Sequence, residues 1–445
     1  MKKILKDLAI FCILAIIIAG IILPRELNNL DEIWNFNFAR NIANGLMPYR
    51  DFNMVQTPLL SIICGMILKA FGTELFTMRI IAVVLCSSIM LVAYKILEKL
   101  ETPTALRYAF LIATIYLYKN YFCIDYNFAV LWIILIVTLI ELENIEKKNP
   151  KLNFFAGIMV GMAILTKQTT GIFLALVFLL YRVLIISNKQ EIKKYSKETL
   201  YKVLGISVPI VLFCIYIISY KGWDNFVDYT ILGIKTFSNK ISYINLINGN
   251  YGIMVSILSI LIPILLFLIY IKTVVFSNKN KDESIYILFA YSVVSLIVVY
   301  PISDSIHFLI GIFPSLILLV YFLWSNFIKK VQKSKLTMFI KYFSKCALIL
   351  IVIFEVYMSV NHLVKYKKEA NRYNKLQNFK YIKAESNEIQ KIDQFIIECE
   401  KNNKTVYILD ATAAIFMIPI DKYNKDYDMF LKGNLGRKRR ARADW

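Results

Sequence analysis

Carboxylates stand in short polar turns between the long apolar segments of this 445-residue chain. Asp31 and Glu32 follow the first apolar segment, and Asp125 lies in YFCIDYNF between two others. An ionised group this close to hydrocarbon is costly and tends to be functional, since a carboxylate can take up a proton or hold a metal ion. Adjacent helical residues point in different directions, so only one of Asp31 and Glu32 can face a common site. We expect Asp31 to share that site with Asp125, and Glu32 is a further catalytic candidate whose alternative role is to complement a helix dipole.

A lysine and a histidine occupy two further turns. Lys167 and Gln168 lie in ILTKQTTG, and Asp304 and His307 lie one helical turn apart in YPISDSIHF. Lys167 is the only cation of its turn and stands where a lipid-linked phosphate would sit, although a lysine there can also snorkel to the interface. A histidine at the start of an apolar helix can likewise be an ordinary interfacial residue. Both roles stay open for each residue at this point.

Metal and redox chemistry find little support in the residue types. The seven cysteines form no C-x-x-C pair, and the two histidines, His307 and His362, are far apart in the sequence. Neither a disulfide framework nor a thiolate or histidine zinc site is indicated. We therefore expect no certain cofactor, and a divalent metal ion, if one takes part, would be held by carboxylates.

The elements that position these turns are membrane spans. Hydrophobic residues make up 58% of the chain, and the mean hydropathy is +0.58, well above that of soluble domains. Apolar segments that can cross a hydrocarbon core, roughly 17 to 25 residues each, recur along the sequence. They predict an all-α polytopic membrane bundle of about eleven transmembrane helices, placed at 8 to 23, 76 to 98, 104 to 121, 125 to 142, 152 to 166, 169 to 186, 201 to 220, 251 to 275, 284 to 301, 306 to 327 and 344 to 363.

The distribution of lysines orients these spans. Every second connection is rich in lysine and the others hold far fewer, which is the positive-inside bias expected when the N-terminus is cytoplasmic. The first span is expected to be an anchor, because no small-x-small cleavage site follows it, as a signal peptide would require. We expect a multi-pass protein of the cell membrane whose carboxylate turns open outward. The inward lysines include Lys2, Lys3, Lys6, Lys95, Lys99, Lys147, Lys148, Lys151, Lys189, Lys193, Lys194, Lys197, Lys279, Lys281, Lys329, Lys330, Lys333 and Lys335.

Two polar regions adjoin the spans of the membrane-embedded domain, residues 1 to 363. Residues 24 to 72 form the first outer loop, in which two interfacial helices are expected, the second opened by Pro58 and closed by Gly72. Residues 364 to 445 form an extracytoplasmic region, expected to be a small α/β tail with a helix near 386 to 400 and a strand at 405 to 410. The sequence RKRRAR at 437 to 442 either contacts anionic lipid or marks a frameshifted or truncated end.

The motifs and their order resemble a known family. An acidic pair after the first span, then Gly45, PYRDF at 48 to 52 and TPLL at 57 to 60, resembles the first outer loop of GT-C-type glycosyltransferases. These are the relatives of protein O-mannosyltransferases, lipid A aminoarabinose transferases and bacterial RgtA-D-like proteins. Asp125, the KQ turn at 167 to 168 and the P-x-x-D-x-x-H turn that begins at Pro301 are similar to further elements of some members. The resemblance covers residues 1 to about 325 and rests on the order and sidedness of these motifs.

The resemblance implies inverting transfer of a sugar from a polyprenyl-phosphate donor to a cell-envelope glycan, lipid or protein at the outer face. It implies that Asp31 is the general base and that Asp125 orients or binds the acceptor or a metal ion. It also implies that Lys167, His307 or Arg50 meets the lipid phosphate. The substrate-binding residues expected on this basis are Arg50, Asp51, Lys167, Gln168, Asp304 and His307.

Two functions from other classes stay open. A lipid-linked saccharide flippase or exporter would use the outer carboxylates for gating or binding, and a noncatalytic scaffold would use the outer loops to bind a partner. A transporter is expected to concentrate ionisable groups near the midplane and to show repeated halves, and the sequence shows neither feature. The net charge of +21 comes from lysines clustered in connections, so membrane lipids are expected partners and nucleic acid is not.

The orientation can be tested by labelling single cysteines from outside the cell. Cysteines introduced near Asp31, Asn225 and Ser303 should react with a membrane-impermeant reagent, whereas cysteines near Lys148 and Lys193 should react only after permeabilisation. The reverse pattern would rule out this topology, and with it an outward-facing site.

Overall fold

The computed structural model describes residues 2 to 27, 30 to 184, 189 to 232, 240 to 275, 282 to 328, 335 to 369, 380 to 382 and 387 to 404. Over these ranges the chain forms helices and no strand, which confirms the all-α class predicted for the membrane-embedded part. The strand predicted at 405 to 410 and the Arg-rich segment at 437 to 442 lie outside the described residues.

The helices follow one another with short connections. Several are extended at their C-terminal ends by a 3-10 or π-helical turn, as at Tyr181–Leu184 and Val227–Leu232. In chain order they are α1 (Lys2–Ile22), α2 (Leu30–Ala43), α3 (Leu59–Phe71), α4 (Leu75–Lys99), α5 (Thr104–Tyr118), α6 (Tyr126–Lys147), α7 (Pro150–Thr166), α8 (Gln168–Leu180), α9 (Lys189–Ser219), α10 (Trp223–Phe226), α11 (Ile244–Ile247), α12 (Ile253–Tyr270), α13 (Glu283–Leu296), α14 (Ser305–Leu323), α15 (Lys335–Glu369) and α16 (Asn387–Lys401).

Each of the predicted membrane spans coincides with one of these helices. Seven helices of the described residues are long and apolar enough to cross a bilayer, and five shorter apolar helices accompany them. The observed helices often run past the apolar segment: α9 begins at Lys189 and α15 at Lys335, both within lysine-rich sequence. Backbone hydrogen bonding continues where the side chains have already become polar, so hydropathy marks the buried part of such a helix and not its end. The chain is a multi-pass membrane protein, and the count of eleven crossings stays a prediction.

The two helices expected in residues 24 to 72 are present as α2 and α3. Pro58 precedes α3, and Gly72 ends it with a φ of 114°, a backbone conformation that favours glycine. Asn29, which comes just before α2, lies outside the described residues, and the contact that Glu32 makes is described below. Along the chain, α16 lies where the sequence predicts a helix near 386 to 400.

Small residues let the spans approach closely. The backbones of α7 and α9 meet at Gly157 and Gly205, and a Cβ atom on Gly157 would lie 2.4 Å from the carbonyl oxygen of Lys202. No larger residue fits at that crossing, so these glycines fix the distance between the two helices. The crossing matters for the site because α7 ends at Thr166 and the turn that follows it holds Lys167.

A buried arginine joins α4 to the start of α2. The side chain of Arg79 is fully buried, and its Nε and Nη2 atoms each donate a hydrogen bond of 3.1 Å to the carboxylate of Glu32. The same guanidinium donates to the backbone carbonyl groups of Arg25 and Glu26 in the turn between α1 and α2. Arg79 therefore fixes both the path of that turn and the angle at which α2 begins.

A second arginine extends this attachment to the turn before α6. Arg25 donates 2.6 Å hydrogen bonds to the carbonyl groups of Lys119 and Phe122, which lie between α5 and α6. Hydrogen bonds from a charged donor are stronger than neutral ones, so the contact holds the two turns together firmly. The first turn of α2 and the N-terminus of α6 thus become neighbours.

We expect Arg79→Met to destabilise the protein by about 3 to 5 kcal/mol, because the substitution removes the cation that pairs with the buried carboxylate of Glu32. Thermal unfolding of the detergent-purified protein measures the loss. Ile80→Ala is the matched control, since the neighbouring Ile80 side chain is 45% exposed on the lipid side of the same helix. The double variant Arg79→Met/Glu32→Gln should recover part of the stability, and an Arg79→Met protein as stable as the Ile80→Ala protein would contradict the role given to this pair.

Candidate functional site

Five charged or titratable side chains from four separate turns meet at one end of the bundle. Asp31 lies in the first turn of α2, Asp125 immediately precedes α6, Lys167 separates α7 from α8, and Asp304 and His307 begin α14. The charges of the other four all act on Asp31. We call these five residues the polar cluster. The sequence predicted each of them as a site residue, and the fold brings them together.

Asp31 has a pKa close to physiological pH. Its side chain is partly buried, and its backbone carbonyl accepts a 2.8 Å hydrogen bond from Asn35 Nδ2. Burial raises the pKa of Asp31 to about 7, the negative charge of Asp125 adds to the increase, and His307 opposes it. A carboxyl group with such a pKa is present in both protonation states near pH 7, which suits a general base or acid.

Asp125 presents one carboxylate oxygen that has no hydrogen-bond partner. The side chain is 1% exposed, and Oδ1 caps α6 by accepting a 2.6 Å hydrogen bond from the backbone N–H of Asn127. Among the described residues, the buried Oδ2 atom has no such donor. Burial raises the pKa of Asp125, against the charges of His307 and Lys167. Buried polar atoms are nearly always satisfied, so this oxygen is an acceptor site open to a ligand.

Lys167 is the cation at the centre of the polar cluster. Its Nζ atom donates a 2.5 Å hydrogen bond to Asn127 Oδ1 and lies 5.3 Å from the centre of the Tyr126 ring. Burial lowers the pKa of Lys167 to about 8, although Asp125 and Asp304 favour the charged form. Its direct partner is a neutral amide, and no carboxylate of the described residues forms a salt bridge with the ammonium group. The lysine remains mostly charged at pH 7 and available to an anion.

His307 is oriented by Asp304 at the start of α14. Asp304 Oδ1 accepts a 2.9 Å hydrogen bond from the backbone N–H of His307 and lies 2.8 Å from its Nδ1 atom. The carboxylate thus acts as the N-cap of α14 and fixes the imidazole ring at the same time. With Nδ1 engaged, Nε2 is the ring atom left for a substrate.

Two predicted site residues, Glu32 and Gln168, make hydrogen bonds that hold neighbouring segments of the chain together. Glu32 points away from the polar cluster and pairs with Arg79, in agreement with the expectation that only one of the two adjacent acids faces the common site. Gln168 Nε2 donates to the carbonyl groups of Val55 at 2.8 Å and Thr230 at 3.2 Å. It therefore ties the start of α8 to the chain before α3 and to the π-helical turn after α10.

Arg50 and Asp51 lie apart from the polar cluster, beside the end of α9. Arg50 makes two hydrogen bonds of 2.7 and 2.8 Å to Asp51, and its guanidinium lies 5.9 Å from the centre of the Tyr220 ring. Asp51 also accepts from the backbone N–H of Met47. Within the described residues, the side-chain contacts of Arg50 are with Asp51 and Tyr220, not with the polar cluster. The substrate-binding role expected of Arg50 and Asp51 stays a prediction.

The sequence analysis missed Asn127, which contacts both Asp125 and Lys167. Its position two residues after a candidate carboxylate, at the start of an apolar helix, was the only available signal. A divalent metal ion gains no support from the described part of the chain, in which no three His, Cys, Asp or Glu side chains are arranged to hold one.

Comparisons with known proteins agree with this architecture. The family described as dolichyl-phosphate-mannose-protein mannosyltransferase matches residues 55–217. Among solved structures, the crystal structure of ArnT from Cupriavidus metallidurans bound to undecaprenyl phosphate is similar, with a TM-score of 0.52 and 10% sequence identity over 97% of this chain and 76% of that chain. No curated protein matches by sequence. The resemblance drawn from the sequence is thus confirmed, and the chain has the fold of a GT-C-type polytopic membrane glycosyltransferase.

Proposed function

We propose that this protein transfers a sugar from a polyprenyl-phosphate donor to an acceptor hydroxyl group at the outer face of the cell membrane. The observation that carries the proposal is the polar cluster, in which Asp31 and Asp125 lie beside Lys167 and His307 at one end of a GT-C-type bundle. The family match and the fold support a membrane glycosyltransferase that uses a lipid-linked donor.

Asp31 acts as the general base in this proposal. The acceptor oxygen attacks the anomeric carbon of the sugar while its proton passes to the carboxylate of Asp31. The bond between the anomeric carbon and the phosphate oxygen breaks, and its electron pair leaves with the phosphate. A single displacement of this kind inverts the configuration at the anomeric carbon. A pKa of about 7 makes Asp31 a stronger base than an ordinary carboxylate, and it still leaves the ionised form well populated near pH 7.

The leaving phosphate gains a negative charge, which Lys167 and His307 stabilise. Charged or hydrogen-bond-donating groups fixed in a partly dehydrated site stabilise a developing charge without first reorganising. Lys167 is fixed by Asn127, and His307 is fixed by Asp304, so neither side chain has to be recruited during the step.

Asp125 positions the acceptor. Its free Oδ2 atom can accept a hydrogen bond from an acceptor hydroxyl group, and its burial near Asp31 places that hydroxyl beside the base. Holding the reacting atoms in contact contributes to the rate independently of proton transfer. The acceptor itself is a glycan, lipid or protein of the cell envelope, reached from outside if the N-terminus is cytoplasmic.

The remaining predicted residues are given supporting roles. Glu32 neutralises Arg79 and sets the start of α2, and Gln168 fixes the turn that carries Lys167. Arg50 and Asp51, partly exposed beside α9, are candidates for contacts with a part of the substrate that extends beyond the polar cluster.

We expect Asp31→Asn to lower turnover by roughly two to four orders of magnitude, because the amide preserves shape but cannot accept the proton. Sugar release from a panel of radiolabelled polyprenyl-phosphate sugars by the purified protein measures this loss. The double variant Asp31→Asn/Asp125→Asn should lose less activity than the product of the two single losses, since groups that act as one unit are not additive.

Asp224→Asn is the matched control, since it makes the same chemical change at an exposed position at the start of α10. That variant should retain wild-type turnover. A correctly inserted Asp31→Asn protein with near-normal turnover would eliminate the catalytic role, and a lipid-linked saccharide flippase would then be the better hypothesis.

We expect kcat/KM to depend on pH in a bell-shaped manner, rising as Asp31 loses its proton near pH 7 and falling as Lys167 loses its proton near pH 8. Lys167→Arg keeps a positive charge at all accessible pH values, so it should extend the alkaline limb. Lys167→Gln should weaken donor use at every pH, and His307→Ala should do so as well.

The control for charge removal is Lys240→Gln, because Lys240 is exposed and lies outside the polar cluster. Unchanged donor kinetics in both Lys167→Gln and His307→Ala would contradict a role in binding the phosphate. Both residues would then be interpreted as ordinary interfacial residues. An alkaline limb that does not move in Lys167→Arg would assign that limb to another group.

A further inference from the structure

An apolar groove of about 450 Å³ lies between α1, α5 and α15, away from the polar cluster. It is lined almost wholly by aliphatic side chains, and its two hydroxyl-bearing residues, Thr104 and Tyr108, both lie on the first turns of α5. The lining includes Ile10, Ile17, Ile112, Leu348 and Val352. The groove is therefore polar at one end only.

The three helices converge at the other end of the groove. Tyr116 of α5 donates a hydrogen bond to Glu355 of α15, which supplies the partner that this membrane-embedded carboxylate requires. Ser359 of α15 donates to the carbonyl oxygen of Ile17, and a Cβ atom on Gly20 would lie 2.6 Å from Ser359 Cβ. These contacts bring α15 onto α1 and α5 there, so the groove is the space that remains where the helices diverge.

The open end of the groove is basic. Lys6 and Arg107 pair with Glu98 at 2.7 and 3.2 Å, and both cations lie over the ring of Tyr94. Lys3 is exposed one turn before Lys6, and no acidic partner for it is present among the described residues. Cations outnumber carboxylates at this end of the bundle, so it attracts an anionic group.

The helical repeat aligns the cations with the groove. Lys3, Lys6, Ile10, Ile13 and Ile17 are spaced by three, four, three and four residues and so lie on one face of α1. A molecule seated along that face would meet lysine at one end and hydrocarbon along its length.

The length of the groove matches one leaflet of a bilayer. Its lining on α5 runs from Thr104 to Ile115, about 16 Å at 1.5 Å per residue. Half of a hydrocarbon core is about 15 Å thick. An acyl chain that enters from the basic end would therefore reach the closed end without crossing the midplane.

We propose that this groove binds one acyl chain of an anionic phospholipid from the lysine-rich leaflet, with its headgroup beside Lys3, Lys6 and Arg107. The lipid fills the space between α15 and the rest of the bundle and joins them. The site lies at the opposite ends of α1 and α5 from the polar cluster, so it is separate from the proposed donor site and does not depend on the proposed reaction.

The test uses full-length protein in phosphatidylcholine vesicles that contain phosphatidylglycerol with a photoreactive acyl chain. Mass spectrometry of the cross-linked protein should find adducts on groove-lining residues of α1, α5 and α15. Lys3→Gln should reduce labelling about 5-fold, the effect of one basic residue near an anionic headgroup. Ile112→Trp fills the groove and should reduce labelling at least as much, whereas Ile172→Trp, on the lipid-facing side of α8, should leave it unchanged.

Three results would overturn the proposal. Equal labelling by a photoreactive phosphatidylcholine would remove the preference for anionic lipid, and undiminished labelling in Ile112→Trp would place the probe outside the groove. Displacement of the probe by excess polyprenyl phosphate, and not by phosphatidylglycerol, would assign the groove to the donor. Lys3 is exposed, so we expect the Lys3→Gln protein to fold, and this variant decides the test if Ile112→Trp is unstable.

Discussion

A buried guanidinium controls the arrangement of the end of the bundle that carries the polar cluster. Arg79 is fully enclosed and its guanidinium carries five N–H donors, so the fold must surround it with acceptors. Glu32 provides two, and the backbone of the turn between α1 and α2 provides others. Because the turn has to bend around Arg79, α2 can begin in only one orientation. Asp31 is the residue next to Glu32, and that orientation turns it toward α6 and α14.

Burial of the polar cluster changes the acid and base strength of its side chains. Burial is the largest cause of the raised pKa of Asp31 and Asp125 and of the lowered pKa of Lys167. Acid and base therefore approach one another in strength at the place where a proton has to move. Exposed turns would leave the three groups near their ordinary values, with the carboxylates too weak as bases. In the proposed reaction, a position at the membrane boundary contributes through desolvation as well as through access to a lipid.

Much of the fold was predictable because apolar segments of sufficient length have few other uses, and each predicted span coincides with a helix. The direction of side chains on a helix also separated Asp31 from Glu32 correctly. Arg79 was missed because it follows LFTM at the start of a long span and looks like an interfacial cation. Arg50 was grouped with the site through its place in PYRDF, and its ion pair with the adjacent Asp51 was not foreseen. Such long-range choices depend on tertiary packing, which residue spacing does not encode.

The balance of charge in the polar cluster explains why the proposed reaction needs both a base and a lysine that is held by a neutral amide. In the proposed step Asp31 loses a negative charge when it takes the acceptor proton, and the phosphate gains one when its bond to the sugar breaks. The net charge of the partly dehydrated site is then the same before and after transfer, which avoids the large energy of creating charge at low dielectric. If Lys167 were already in a salt bridge, that salt bridge would have to break before the ammonium group could bind the phosphate. Its hydrogen bond to Asn127 leaves the ammonium group oriented and still charged, so the negative charge that moves from carboxylate to phosphate does so in the presence of a fixed cation.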